Sequence, residues 1–305
     1  TLADIENISD HGIYTDLLRE FRDRGHDVYI VSPCQRRCGK STQVITNEGV
    51  TILRVRTGNI TKVGIVEKAV STVLIQYQFI LAMKTFFRDI RFDMVLYSTP
   101  PVTFDRIVDY VKRRDGCISY LVLKDIWPQG AVDLGVLKSG GLVWRYFRRK
   151  EKRLYALSDH IGCMSPANAA YLVDHNDEIP TCKVEVCPNS IAPKPVNNSN
   201  KSRYLARDAY GIPRDSMLLV FGGNLGKPQG IGFLLEVLDR SKGRDDIFFL
   251  IAGSGTEYSR VKAHLRAGQH RNARLIKTLP RDQYDALLME CDVGLILLDP
   301  RFTVP

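Results

Sequence analysis

The chain has 305 residues, 44% of them hydrophobic and 25% charged, which is room for two ordinary domains and excludes a disordered chain. Its seven cysteines are odd in number and dispersed, which argues against a disulfide framework and for a reducing compartment. The net charge of +9 points to an anionic partner: a nucleotide, a nucleic acid or an acidic membrane face.

In chain order, Ile13, Leu17, Leu18 and Phe21 share one helical face, predicting a helix from Gly12 to Arg24 that Gly25 ends. Strands follow at Val28–Val31 and Ile52–Val55, then a long helix over Gly64–Asp89. Its most apolar part, Val70–Met83, is interrupted by Ser71, Thr72, Gln76 and Gln78 and falls short of a membrane span. Met94–Tyr97 reads as a strand and Val102–Arg113 as a helix. Strand Ser119–Leu123 then delivers Lys124-Asp125-Ile126-Trp127-Pro128 at its carboxyl end. Helix Leu142–Leu157, strand His160–Met164, helix Pro166–Val173 and strand Lys183–Val186 close the first half.

Pro193 to Ser202 has linker composition. The rhythm then restarts with strand 217–221, helix 231–238, strand Ile247–Ile251 and helix Tyr258–Leu265. Strand Leu275-Ile276, helix Gln283–Glu290 and strand Val293–Leu298 follow. The alternation predicts an α/β protein with parallel sheets in two Rossmann-like domains, 1–190 and 205–305, joined by a linker at 191–204. Their carboxyl edges are expected to face a common cleft, where open α/β folds bind ligands. Both ends read as cut: the first domain opens on the tail of a strand, and the second stops with few strands.

The stretch Gly222-Gly223-Asn224-Leu225-Gly226-Lys227-Pro228-Gln229-Gly230 joins a buried strand to an amphipathic helix. Glycines let a backbone approach a ligand, and free N–H groups at a helix start favour a phosphate, with Lys227 adding a full charge. It is neither a Walker A loop nor the dinucleotide G-x-G-x-x-G, and a tight turn that binds nothing is the competing reading. No metal site is predicted. Cys34/Cys38 and Cys182/Cys187 lack zinc spacing, and Asp245-Asp246 reads as solvated. His26 reads as structural, and Trp127 and Pro128 as packing. His11 beside Gly12 has an open choice between a ligand and nothing.

The order of these motifs resembles the family 4 glycosyltransferases of the GT-B fold over essentially the whole chain. Gly12 with its helix and Arg24-Gly25-His26-Asp27-Val28 resembles the family's opening glycine loop and G-H-x-V strand. Asp125-Ile126-Trp127-Pro128-Gln129 is similar to the D-[LI]-[WF]-P element of bacterial polysaccharide transferases. Cys187-Pro188-Asn189-Ser190-Ile191 resembles the V-P-N-G-[VI] crossing point, and Gly223 to Gly230 the donor-diphosphate loop. Ile251-Ala252-Gly253-Ser254-Gly255 and Cys291-Asp292-Val293 match later strands of the family. Asn224 with Lys227 and the Pro-Gln after Trp127 look closest to the fucosaminyltransferase-like branch. Two departures stand out: Asn224 and Gln229 occupy places usual for Arg and Lys, and the family's ribose-binding glutamate segment would lie beyond Pro305.

The resemblance implies a retaining transferase that moves a sugar, such as an N-acetylated hexosamine, from a UDP-linked donor without metal or other cofactor. The acceptor it implies is a polyprenyl-diphosphate-linked saccharide at the cytoplasmic face of the inner membrane, in O-antigen or capsule synthesis. Donor contacts would fall to Gly12, Asn189, Gly223, Asn224, Lys227, Gln229, Gly230 and Gly253. Asp125, at a strand's carboxyl end, is the candidate catalytic group for the acceptor hydroxyl; capping the following turn is its alternative. Asn189 is open between a donor contact and a turn residue. The basic and aromatic run from Trp144 to Arg153 would rest on anionic lipid, or else is a charged outer helix. A nucleotide-sugar 2-epimerase shares the architecture, and no nucleic-acid-binding motif supports a nucleic-acid partner.

Overall fold

In the computed structural model, which describes residues 4–60, 63–193, 205–299 and 301, the chain divides into two units. One runs through Thr1–Lys194 and the other through Pro195–Thr303. The expected linker falls mostly on 194–204, outside the described residues.

The first unit opens with α1 (Ile13–Asp23), β1 (Tyr29–Gln35), β2 (Gln43–Asn47), β3 (Val50–Thr57) and α2 (Ile65–Phe86). It continues through β4 (Met94–Thr99), α3 (Asp105–Asp115), β5 (Ile118–Leu123), α4 (Gln129–Asp133) and α5 (Leu142–Leu157). β6 (His160–Cys163), α6 (Pro166–Asp174) and β7 (Val184–Val186) complete it. The strands form two sheets, in the orders β1-β3-β2 and β4-β5-β6-β7. All neighbours are parallel, as the alternation predicts, except β2, a strand the sequence pattern does not announce, which pairs antiparallel with β3. That hairpin turns on Glu48 and Gly49, with φ of 48° and 79°, the left-handed pair a two-residue hairpin loop requires. Glutamate is an unusual occupant of that region, so the turn carries no Asn-Gly signal.

α2 and α3 gather Ile75, Phe79, Phe87 and Val111 over Leu53 and Val55 of β3. α5 and α6 set Leu154, Tyr155 and Leu172 against Leu121, Leu123 and Ile161 of β5 and β6. Between the two sheets the edges of β1 and β4 line a groove of about 670 Å³ with Tyr29, Val31, Met94, Leu96 and Ser98. Among the described residues no strand pairs with either of these edges.

The second unit contains α7 (Leu205–Tyr210), β8 (Met217–Asn224), α8 (Ile231–Arg240), β9 (Ile247–Ser254) and α9 (Tyr258–Gly268), then β10 (Ala273–Ile276), α10 (Arg281–Leu288) and β11 (Val293–Leu295). The sheet order is β10-β9-β8-β11, parallel throughout. β8 is covered on both sides: Phe221 packs with Leu234 and Leu238 of α8 and Val261 of α9, while Leu218 and Val220 pack with Leu287 of α10. A strand covered twice has no polar face, which is why it reads as an unbroken apolar run. The stripe Ile231, Leu234, Leu235 and Leu238 on α8 is buried as its spacing predicts, each side chain contributing about 1.5–3 kcal/mol relative to exposure.

At their carboxyl ends β8 and β9 come together through glycines. Gly223 faces Gly253 in the register, and a Cβ on Gly253 would stand 2.0 Å from the Gly223 carbonyl oxygen. On Gly255 it would stand 2.3 Å from the carbonyl oxygen of Leu225. Gly253→Ala therefore forces a backbone shift, with an expected loss of about 1–3 kcal/mol in urea unfolding. Gly232→Ala, in α8 with open space around it, should leave stability unchanged or raise it by up to ~1 kcal/mol. Equal unfolding midpoints for Gly253→Ala and the wild type would remove close approach as the constraint.

Candidate functional site

In the second unit the loop leaving β8 is held shut by its own groups. The amide of Gly226 donates to Gln229 Oε1 at 3.2 Å, and the Gln229 amide returns to the Gly226 carbonyl at 3.2 Å. Leu225 accepts from Glu257 and donates to the Ser254 carbonyl, and Pro228 accepts from the Asp299 amide at 2.8 Å. Gly230, with φ 55°, caps α8, and a Cβ there would meet the Leu298 carbonyl oxygen at 2.9 Å. Gln229 thus braces the loop, with Asn224 Nδ2 only 3.5 Å from its oxygen. Gly223, Asn224 and Lys227 are exposed at its surface. No ion pair to Lys227 occurs among the described residues, so its ammonium is available to an anion. Gly253 lies buried beneath Gly223, where it makes room rather than contact.

A further side chain reaches the loop that the sequence reading does not contain. The hydroxyl of Tyr284, on α10, occupies the space over Gly222, where a Cβ would stand 1.9 Å from it. Burial pushes the pKa of this phenol up. Nothing local announces it, because it arrives from a helix some sixty residues away in sequence.

In the first unit the first turn of α1 gathers the remaining candidates. The Asp16 carboxylate accepts from the Gly12 amide at 3.1 Å and from the Ala192 amide at 2.8 Å, and pairs with Arg19. It thereby ties the opening turn to the segment that follows Asn189. Burial alone would raise this carboxyl; the two amide hydrogen bonds and the Arg19 charge outweigh it and hold the pKa below 3.8. An acidic residue in the first turn of a helix is a signal legible in the sequence. His11 stands 3.6 Å from Asp16, and His26 packs edge-on to Phe21.

Beside Asp16, Tyr14 donates or accepts a 2.7 Å hydrogen bond with Ser98 at the end of β4. The Lys124 ammonium lies 3.7 Å from the centre of the Tyr14 ring. This brings Asp125 to the same edge. Its carbonyl accepts from Thr99 at 3.2 Å, but its carboxylate has no partner among the described residues and caps no helix: the N-cap of α4 is Pro128, with no side-chain cap. The carboxylate is exposed, yet the protein around it desolvates it and raises its pKa, against the opposing charge of Lys124. Asn189 is exposed at the carboxyl end of β7. Trp127 stacks edge-on against Phe147 of α5, as packing.

The cations of α5 divide into two groups. Arg148 is paired with Glu151, Lys150 with Asp105, Lys152 with Glu178, and Arg153 with Asp105 and Asp109. Arg145 and Arg149 are exposed without such pairs among the described residues. Among the described residues no helix is long and apolar enough to cross a membrane.

The sequence profile of Glycosyltransferase Family 4 matches residues 13–194. The chain belongs to glycosyltransferase family 4. It is 25% identical over 227 residues to a probable glycosyltransferase of Pseudomonas aeruginosa, WbjE, covering 72% of this chain. The chain spans about half the length of that curated relative, 54%. Among solved structures, the E. coli protein described as trehalose-6-phosphate bound with UDP-2-fluoro glucose aligns with a TM-score of 0.72 at 8% identity, over 97% of this chain and 77% of that one. WaaG, a glycosyltransferase involved in lipopolysaccharide biosynthesis, aligns at 0.61 and 13% identity, over 96% and 74%. Anabaena HepE in complex with UDP and glucose aligns at 0.57 and 10%, over 94% and 70%. At these identities the likeness establishes the fold, GT-B.

The Asp16 contacts make folding stability depend on pH. A carboxyl whose pKa is depressed on folding stabilises the protein above its unfolded value and loses that contribution as pH falls through the folded value. Asp16→Asn should lower stability at neutral pH by about 1–3 kcal/mol. The gap from wild type should narrow as the pH drops below 3.8. A gap independent of pH, measured by urea unfolding across the acid range, would overturn the assignment.

Proposed function

We propose that this chain transfers a sugar, with retention at the anomeric carbon, from a UDP-linked donor to a lipid-linked saccharide in surface-polysaccharide synthesis. The observation that carries the reading is the braced glycine loop, with Lys227, exposed and without an ion pair among the described residues, three residues before Gly230 caps α8. The family's activity and the UDP-bearing neighbours support a nucleotide-diphosphate there. WaaG's role in lipopolysaccharide biosynthesis supports a polysaccharide acceptor. The resemblance to the fucosaminyltransferase-like branch favours an N-acetylated hexosamine as the sugar.

In this reading the bond between the anomeric carbon and the diphosphate oxygen breaks, and its electron pair stays with UDP. Lys227 and the first amides of α8 stabilise that charge as it develops. The acceptor hydroxyl forms the new bond and releases its proton, with Asp125 orienting the hydroxyl and receiving the proton. Desolvation makes the Asp125 carboxylate a stronger base than usual. In the second unit Gly223 and Asn224 contact the donor, while Gln229, Gly230 and Gly253 shape its loop; Gly12 and Asn189 of the first unit are donor contacts only by the family resemblance.

Exposed Leu142 and Tyr146 stand at i and i+4 on α5, with exposed Arg145 and Arg149 at i+3 and i+7. One helical stripe thus carries both apolar and cationic groups, which supports peripheral contact with the cytoplasmic face of the inner membrane. α2 contributes Val70, Leu74, Tyr77 and Leu81, exposed at the spacing of one face, and α2 and α5 both pack against α3.

Lys227→Ala should weaken UDP binding about tenfold or more in titration calorimetry while leaving the melting temperature unchanged. Wild-type affinity would take Lys227 out of the site. Asp125→Asn should lower kcat by about 10²–10⁴ and abolish an acid limb of the pH–rate profile, which in the wild type lies above the ordinary carboxyl value of 3.8. An acid limb retained by the variant would sink the role for Asp125. Arg145→Glu with Arg149→Glu should end flotation with anionic liposomes; flotation equal to wild type would exclude this stripe.

A further inference from the structure

Three side chains far from the glycine loop converge at the other end of α8. Asp239 lies in its last turn, His264 in the second half of α9, and His270 just beyond it. His264 Nε2 is 2.8 Å from Asp239 Oδ1, and His270 Nε2 is 3.2 Å from the same oxygen. One ligand atom from each of the three lies within 4.8 Å of the others. We propose that Asp239, His264 and His270 form a binding site for a divalent transition metal of the zinc class, with a fourth position open to solvent.

The geometry has the right scale. Ligand atoms about 2.0–2.1 Å from a tetrahedral zinc stand roughly 3.3 Å apart, and two imidazoles with one carboxylate suit zinc and its neighbours. The second observation is His270. Its side chain is 0% exposed, and neither ring nitrogen has a hydrogen-bond partner among the described residues. Nε2 approaches Asp239 without the alignment of a hydrogen bond, as two ligands to one ion do. Leaving such a nitrogen unsatisfied costs about 1–3 kcal/mol, which metal coordination at Nε2 would offset.

The chain is shaped to put the ring there. Gln269, at φ 48°, turns the backbone at the end of α9, and the His270 amide returns to the Leu265 carbonyl at 3.3 Å. The two imidazoles stack with centroids 5.5 Å apart. Gly268 leaves the space the ring fills: a Cβ there would stand 2.4 Å from His270 Nε2. The carboxyl ends of two helices meet at the site, and their partial negative charge favours a cation. Asp239 and His264 also line a surface groove of about 580 Å³. The nearby charges there are already engaged, Arg260 with Glu257 and Glu236 with Arg240. A site with three protein ligands and an accessible fourth position matches the open zinc sites, whose fourth ligand is water or a small anion.

The test is titration of the chelator-treated, dialysed 305-residue chain with Co²⁺, followed by absorption, then competition with Zn²⁺. The proposal expects one saturable equivalent with d–d bands of nitrogen and oxygen ligation, displaced by Zn²⁺, and a melting temperature raised by Zn²⁺. Asp239→Ala and His264→Ala should each weaken binding by at least about tenfold; both side chains reach solvent, so both variants should fold. A thiolate charge-transfer band would assign the metal to a cysteine and overturn the proposal. So would the absence of saturable binding, or binding unchanged in both variants.

Discussion

Two backbone segments, 223–225 and 253–255, meet glycine against carbonyl at the carboxyl ends of β8 and β9, and the second unit is arranged around that contact. Gly253 lies against the carbonyl of Gly223, and Gly255 against that of Leu225. Because parallel strands place their ligand-binding loops at this edge, any Cβ here would push the loop away from the sheet that positions it. The apolar stripe of α8 then fixes where the helix begins, so its free amides and Lys227 have a set place relative to the strand ends.

The first unit uses charge where the second uses absence of side chains. Asp16 accepts amides from both Gly12 and Ala192, joining chain segments far apart in sequence by one buried carboxylate. Tyr14, one helix position from that turn's start, links the ends of β4 and β5 through Ser98 and Lys124. Asp125 is the one carboxylate in this polar group left without a partner among the described residues. An exposed carboxylate that is partly desolvated and left unpaired among the described residues is a candidate for chemistry.

What could be read from the chain, and what could not, divides by range. α5 occupies Leu142–Leu157, the span its periodicity assigns, because the signals that set a helix are local. The glycine loop was visible for the same reason. β2 was not, since Gln43–Asn47 is half polar and its turn depends on a left-handed Glu48. That Gln229 also braces the loop is visible only in the folded loop, where it accepts from Gly226. Tyr284 with Gly222, Asp16 with Ala192, and Asp239 with His264 and His270 are meetings of segments apart in sequence, invisible to a short window.

The loop after β8 is fastened at three places before any ligand reaches it: Gln229 to Gly226, Leu225 to Ser254 and Glu257, and Pro228 to Asp299. A segment so fastened has little motion left to surrender on binding, which favours affinity. The same stiffness makes it a poor adapter. If it holds the proposed diphosphate, it discriminates by whether that group fits the shape already present, and a change of sugar specificity then has to come from side chains around the loop, not from the loop reshaping itself.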